Sequence, residues 1–166
     1  MRHILLKCEE AAFRVEVVAV ILTLIASIIV TFAQVFGRYV LNYAPASLEE
    51  LARYLFIWLI FMGAPIGVRD RGHMAIMLVS NRLSSSWRRR SSLFIYLVAA
   101  IFLVILAWQG VLIMVHTGSQ VSPTMEISMR WVYAAIPTGS ILMLLHLGVS
   151  FLKMGISEHP LFAFEG

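Results

Sequence analysis

One cysteine, Cys8, stands in a chain of 166 residues. That excludes an intrachain disulfide and any Cys-x-x-Cys redox pair, and with them the thiol-oxidising four-helix membrane enzymes. Charge is scarce as well: 13% of residues are charged against 60% apolar, with a mean hydropathy of +0.87. So little polar surface leaves no material for a soluble catalytic module. The nine acids are Glu9, Glu10, Glu16, Glu49, Glu50, Asp70, Glu126, Glu158 and Glu165, and all are read as lying outside the long apolar runs. A carboxylate at a membrane-helix centre costs about 2.5–3.5 kcal/mol on insertion scales, so proteins that keep one use it. Its absence argues against a self-sufficient proton-coupled pump. Internal repeats and low-complexity tracts are also missing.

What the chain does have is four apolar runs of membrane-crossing length. Val17 to Phe36 holds no ionisable residue, Ser92 to Val115 only a tyrosine, and Trp131 to Phe151 only His146 and a tyrosine. The fourth, second in the chain, runs from Leu48 to Val68 between Glu49-Glu50 and Arg69-Asp70-Arg71. At about 1.5 Å per residue each run crosses a hydrocarbon core of roughly 30 Å. The expected fold is an all-α membrane protein, one transmembrane domain over 1–166 with spans at about 15–36, 48–68, 92–115 and 129–152. The first run exceeds the roughly 7–15 residues of a signal-peptide core and no A-x-A site follows it, so it reads as a retained anchor. Short interfacial helices are expected at Ile4–Phe13, with a Glu10–Arg14 pair, and at His73–Leu83.

Basic residues set the expected orientation. Arg2, Lys7, Arg14, Arg69, Arg71, Arg82, Arg88, Arg89, Arg90 and Lys153 fall on one side, which leaves only Arg38, Arg53 and Arg130 on the other. The positive-inside rule then places both termini and the middle loop in the cytoplasm. Trp87 beside Arg88, Arg89 and Arg90 suits anionic headgroups better than nucleic acid, and Trp131 and Tyr133 mark the opposite headgroup level.

Candidate contacts cluster at the start of the second span. Ser47-Leu48-Glu49-Glu50 fits a capping box with Ser47 as N-cap, and Arg53 can pair with either acid. The alternative is that these carboxylates meet Arg38 or a basic group on a partner chain. Gly63 and Gly67 form G-x-x-x-G, a spacing that lets helices approach closely, with Pro65 between them. Ser122-Pro123 reads as a helix start with Glu126 in its first turn. Polar residues inside the spans, among them Gln34, Gln109, Thr138 and Ser140, suit hydrogen bonds between helices, as does His146. His73 and His146 lie near one depth, so a haem-binding cytochrome subunit stays in view. So does a stand-alone small exporter, which would need an acid within a span.

Several of these residues recur together elsewhere. Gln34-Val35-Phe36-Gly37-Arg38-Tyr39-Val40 closes the first span; Glu49-Glu50, Leu51 to Tyr54, Trp58 and Gly63 occupy the second. Arg69 to His73 follow it, and Ser122-Pro123 precedes Trp131, Tyr133, Ile136 and Pro137. In this order the chain resembles the DctQ-like small membrane subunits of tripartite ATP-independent periplasmic (TRAP) transporters. It departs from that pattern at Ser47, where a Trp is common, and at Met77, where an acid is. The resemblance implies a membrane scaffold beside a large many-span subunit that couples sodium to the import of an organic acid. It also implies a soluble periplasmic protein that delivers the acid. No cofactor and no catalytic residue are implied in this chain. The candidates for partner contact are Gln34, Arg38, Glu49, Glu50, Arg53, Trp58, Gly63, Gly67 and His73, with membrane lipids at the basic cluster.

Overall fold

A computed structural model describes the backbone of residues 2–43, 45–80 and 85–154, and side chains from 10 to 43, 45 to 69, 90, 91 and 93 to 151. Among them regular structure is helical: α1 (Arg2–Tyr39), α2 (Ala46–Ser80), α3 (Ser85–His116), α4 (Met129–Tyr133) and α5 (Ala135–Met154). Four segments are long and apolar enough to cross a membrane: Glu10–Tyr39, Ala46–Arg69, Leu93–His116 and Met129–Phe151.

Two expected interfacial helices do not exist as separate elements. Ile4–Phe13 is the first part of α1, which at 38 residues is about 57 Å long. The segment from His73 is likewise the continuation of α2, which runs unbroken to Ser80. Neither junction holds a Pro or a Gly-rich break, so the backbone bonding simply continues. The side chains of His73, Met77, Trp87, Arg88 and Arg89 lie outside the described residues, as do Leu83 and the segment after Met154.

The helices pack in the order α1, α2, α5, α3, each on the next, and among the described residues α1 has no comparable interface with α3. A closed bundle would need that fourth contact, so this is an open row with α2 and α5 in the middle. Burial is concentrated in the α4–α5 span, where 39% of the most apolar window is buried, against 11% for the α2 and α3 spans and 6% for α1.

Prolines and glycines explain how the middle pair come close. Pro65 cannot donate to the Phe61 carbonyl one turn back, and a Cβ at Gly139 of α5 would overlap that same carbonyl. Glycine there lets α5 lie directly on the freed oxygen, with the buried Pro65 beside it. On the other side, a Cβ at Gly110 of α3 would come 2.8 Å from Ile136 and 2.9 Å from Pro137. Pro137 also accounts for the break between α4 and α5. It leaves the Tyr133 carbonyl without its donor, and the chain turns at Ala134, whose N–H bonds Arg130 O at 2.9 Å. Gly63 and Gly67, in contrast, have nothing within 4 Å of a would-be Cβ. Among the described residues the G-x-x-x-G pattern therefore marks no close helix contact.

Candidate functional site

Two polar clusters stand at opposite ends of the row. The first is built on the start of α2. The helix begins at Ala46, so Ser47 is already inside it and is not the N-cap. Glu50, released from a capping role, is 93% buried and reaches across to the loop between α3 and α4. Its Oε2 accepts from the backbone N–H of Thr124 at 3.0 Å and of Met125 at 3.2 Å, and from the Thr124 hydroxyl. Tyr54, one turn along α2 and itself buried, donates its hydroxyl to Oε1. Four donors converge on one carboxylate. Charge-assisted bonds of this kind contribute about 1.5–3 kcal/mol each.

That clasp explains the loop's shape. The expected helix at Ser122-Pro123 is not formed. The segment instead folds back through a lone antiparallel bridge between Val121 and Ser128, with Ser122 N–H bonded to Ile127 O at 2.9 Å. Glu126 takes φ 54° to close it, the left-handed region that disfavours most residues. Ser128 then caps α4, accepting from Arg130 N–H while donating to Gly118 O at 2.9 Å. Pro123 is part of the turn that presents the Thr124 and Met125 amides, not a first helical residue.

Glu49 points the other way and is about half exposed. It bridges Arg38 at the end of α1 (3.3 Å) and Arg53 one turn along α2 (3.6 Å). Both of the pairings weighed from sequence therefore form, and they are surface pairs of small individual value. Trp58 donates its indole N–H to Trp131 O at 3.1 Å, so it ties α2 to α4. The Trp131 ring stays 69% exposed, as a headgroup-level aromatic would, while Tyr133 and Gln34 are half-buried.

The second cluster was not foreseen. Glu16 of α1 and His146 of α5 are 2% and 4% exposed, with Oε2 and Nε2 2.9 Å apart. Glu16 was read as standing outside the membrane run; it lies within the first spanning segment and is buried. Phe13 sets its ring edge on the imidazole, with centroids 6.3 Å apart, and the Arg69 guanidinium lies 3.7 Å above the Phe13 ring. Three helices thus meet through one carboxylate, one imidazole, one ring and one guanidinium. The imidazole is committed to holding α1 against α5. The sequence carried a signal for this: an acid one residue ahead of the first run and a histidine at matching depth in the last.

Among the described residues no group of three His, Cys, Asp or Glu could hold a metal ion. Both clusters are fasteners between elements. Glu50 fixes a loop at one end, and Glu16 with His146 fixes α1 at the other.

Comparison with known proteins gives the lineage. Residues 27–154 match the family described as tripartite ATP-independent periplasmic transporters, DctQ component. The C4-dicarboxylate TRAP transporter small permease protein DctQ of Rhodobacter capsulatus is 36% identical over 116 residues, 67% of this chain and 51% of that protein. The sialic acid TRAP transporter permease protein SiaT of Haemophilus influenzae is 26% identical over 115 residues, 69% of this chain but 19% of that protein. The isethionate TRAP transporter permease protein DctMQ of Oleidesulfovibrio alaskensis is 25% identical over 126 residues, 72% of this chain and 20% of that protein. This chain thus spans about half the length of the first relative and about a fifth of the other two. On the family match across most of its length, and the four spans that go with it, the chain belongs to the DctQ-component family of TRAP transporters.

Proposed function

We propose that this chain is the small membrane scaffold subunit of a TRAP-type secondary transporter. It stands beside a large many-span subunit that binds sodium and an organic acid and carries both across the inner membrane. A periplasmic binding protein delivers the acid, and this chain itself binds no substrate, catalyses no reaction and needs no cofactor. Both termini and the basic segment around Arg88–Arg90 face the cytoplasm, and the Glu50-clasped loop faces the periplasm.

The open row carries this reading. A helix row that leaves α1 and α3 so little covered offers broad apolar flanks, which suits packing beside another membrane protein better than enclosing a solute path. Gly63 and Gly67, with nothing among the described residues within 4 Å of a would-be Cβ, belong to that offer. Relatives support the large partner: in the sialic acid and isethionate permeases the region like this chain is a small part of a much longer protein. The substrates in the relatives' names are a C4-dicarboxylate, sialic acid and isethionate, all organic anions, which supports that class here.

The test is reconstitution. Coexpressed with its large subunit, the chain should co-purify in one-to-one ratio. Alone in liposomes it should take up no organic acid, with or without a sodium gradient. Saturable uptake by this chain alone would overturn the scaffold role. A cysteine placed at Asn42 should react with a membrane-impermeant reagent from the periplasmic side; reaction only from the cytoplasm would reverse the orientation.

A further inference from the structure

Between α3 and α5, in the half of the row nearest the basic end, lies a groove of about 440 Å³. That is within the roughly 300–1,000 Å³ of small-molecule sites. Its walls are apolar: Leu93, Leu97 and Ala100 of α3 face Leu147, Gly148 and Phe151 of α5. Tyr96, the one polar-tipped residue along it, is 93% buried and sets its ring on Phe151, centroids 5.9 Å apart. Water in such a place would find few partners. Leu97 is 59% exposed and Phe151 45%, so the groove opens sideways, towards the bilayer. Gly148 forms a notch in its floor, with nothing within 4 Å of a would-be Cβ.

Charge identifies the occupant. Arg90 is exposed and sits one turn before Leu93 on α3, so it stands at the groove's basic end. By sequence Arg88 and Arg89 precede it, all within the first two turns of α3. That is the positive end of the helix dipole, where cations are disfavoured and an anion is favoured. Neither α3 nor α5 contains a single Asp or Glu, so the two helices that build the groove carry no carboxylate to neutralise those arginines. A hydrocarbon slot whose own two helices put arginine and no carboxylate at its mouth matches one kind of molecule: a negative headgroup attached to an acyl chain.

We propose that this groove is a binding site for an anionic phospholipid, with one acyl chain against Gly148 and the phosphate at Arg90. The lipid lines the α3 edge of the row and fills the space that the packing of α3 on α5 leaves open. This site is independent of the transport role, because it needs only this chain and a membrane.

The experiment uses the full-length chain, purified in detergent and studied by native mass spectrometry. Phosphatidylglycerol is added against phosphatidylcholine with identical acyl chains. The wild type should retain phosphatidylglycerol preferentially. Arg90→Gln should lower that preference about fivefold, the worth of one basic group near a lipid surface. Gly148→Phe and Ala100→Phe fill the groove from opposite walls and should lose the adduct of either lipid, with helicity by circular dichroism unchanged. Equal retention of the two lipids by the wild type would overturn the proposal. So would wild-type retention in both filled variants. If a helix of the large subunit occupies the groove instead, Gly148→Phe will lower the yield of the complex while the free chain shows no lipid preference, and the lipid assignment falls. Should a filled variant fail to fold, Arg90→Gln decides alone, since it changes only an exposed side chain.

Discussion

The Glu16–His146 pair allows a sharp prediction because it is buried yet incompletely satisfied. Oε2 and Nε2 are 2.9 Å apart, but among the described residues Glu16 Oε1 and His146 Nδ1 are buried without a hydrogen-bond partner. A fully satisfied buried network is hard to replace; a half-satisfied one gives up much of its attraction to desolvation. His146→Leu takes the imidazole away from the buried Glu16 carboxyl, and breaking a buried pair from one side costs about 3–5 kcal/mol. That is at least a hundredfold in the equilibrium for keeping α1 docked. Glu16→Gln keeps an acceptor for the imidazole N–H and loses only the charge. Its cost should be about 1–2 kcal/mol, the scale of polar contacts between membrane helices. The double change Glu16→Leu with His146→Leu removes both buried polar groups at once and should cost less than His146→Leu alone.

The measurement is a double-mutant cycle on unfolding in mixed micelles, with a disulfide-trapping pair across α1 and α5 as the local probe. The expected coupling is large, because the second substitution rescues the first. If the double variant instead costs the sum of the two singles, the pair does not act as a unit. The account of α1 as a helix held at its basic end would then be wrong.

The other predictions concern the opposite end and the middle of the row. Glu50→Gln should free the 118–128 loop, because an amide cannot accept from the Thr124 and Met125 N–H groups and the Tyr54 and Thr124 hydroxyls together. Proteolysis or hydrogen exchange should show the loop opening by about 2–4 kcal/mol, whereas Glu49→Gln, at an exposed bridge, should change stability by under about 1 kcal/mol. Gly139→Leu should separate α2 from α5, where any Cβ overlaps the Phe61 carbonyl, and lower stability by several kcal/mol; Gly63→Leu, facing open space, should leave the isolated chain unchanged but reduce its yield in complex with the large subunit.

Much of the fold was legible because bilayer thickness fixes the length of an apolar run. Little else in a chain this size produces four long apolar runs, three of them about 20 residues without a Lys, Arg, Asp or Glu. The order of the helices was not legible. A span that is apolar on every side, such as α2, gives no periodic stripe to show which face meets a neighbour. Gly63 and Gly67 illustrate the difficulty: small residues at four-residue spacing permit close approach from whatever lies alongside, and here no helix of this chain does. Gly139 is read more securely through Pro65, since a carbonyl stripped of its donor needs something small beside it. The helices called interfacial failed for a different reason. Amphipathic character decides which face a helix turns to water, and it says nothing about whether the backbone breaks before the next span.

The site residues divide along the same line, and the division bears on what the chain does. Contacts at three or four residues along one helix, Glu49 with Arg53 and Glu50 with Tyr54, are written into the spacing. Contacts between elements, Glu50 with Thr124 and Glu16 with His146, depend on how the row assembles, and no local pattern encodes them. Among the described residues the buried ionisable groups Glu16, Glu50 and His146 each make a contact of the second kind, joining two elements of this same chain. A protein that moved a solute itself would have to free such groups during its cycle, at the cost of stranding them. Here a buried fastener stands at each end of the row, which resists relative motion of α1, α2 and α5. What stays uncovered is apolar flank. Rigid connections within and open hydrocarbon surface outside are what a stationary subunit needs if a larger neighbour does the moving.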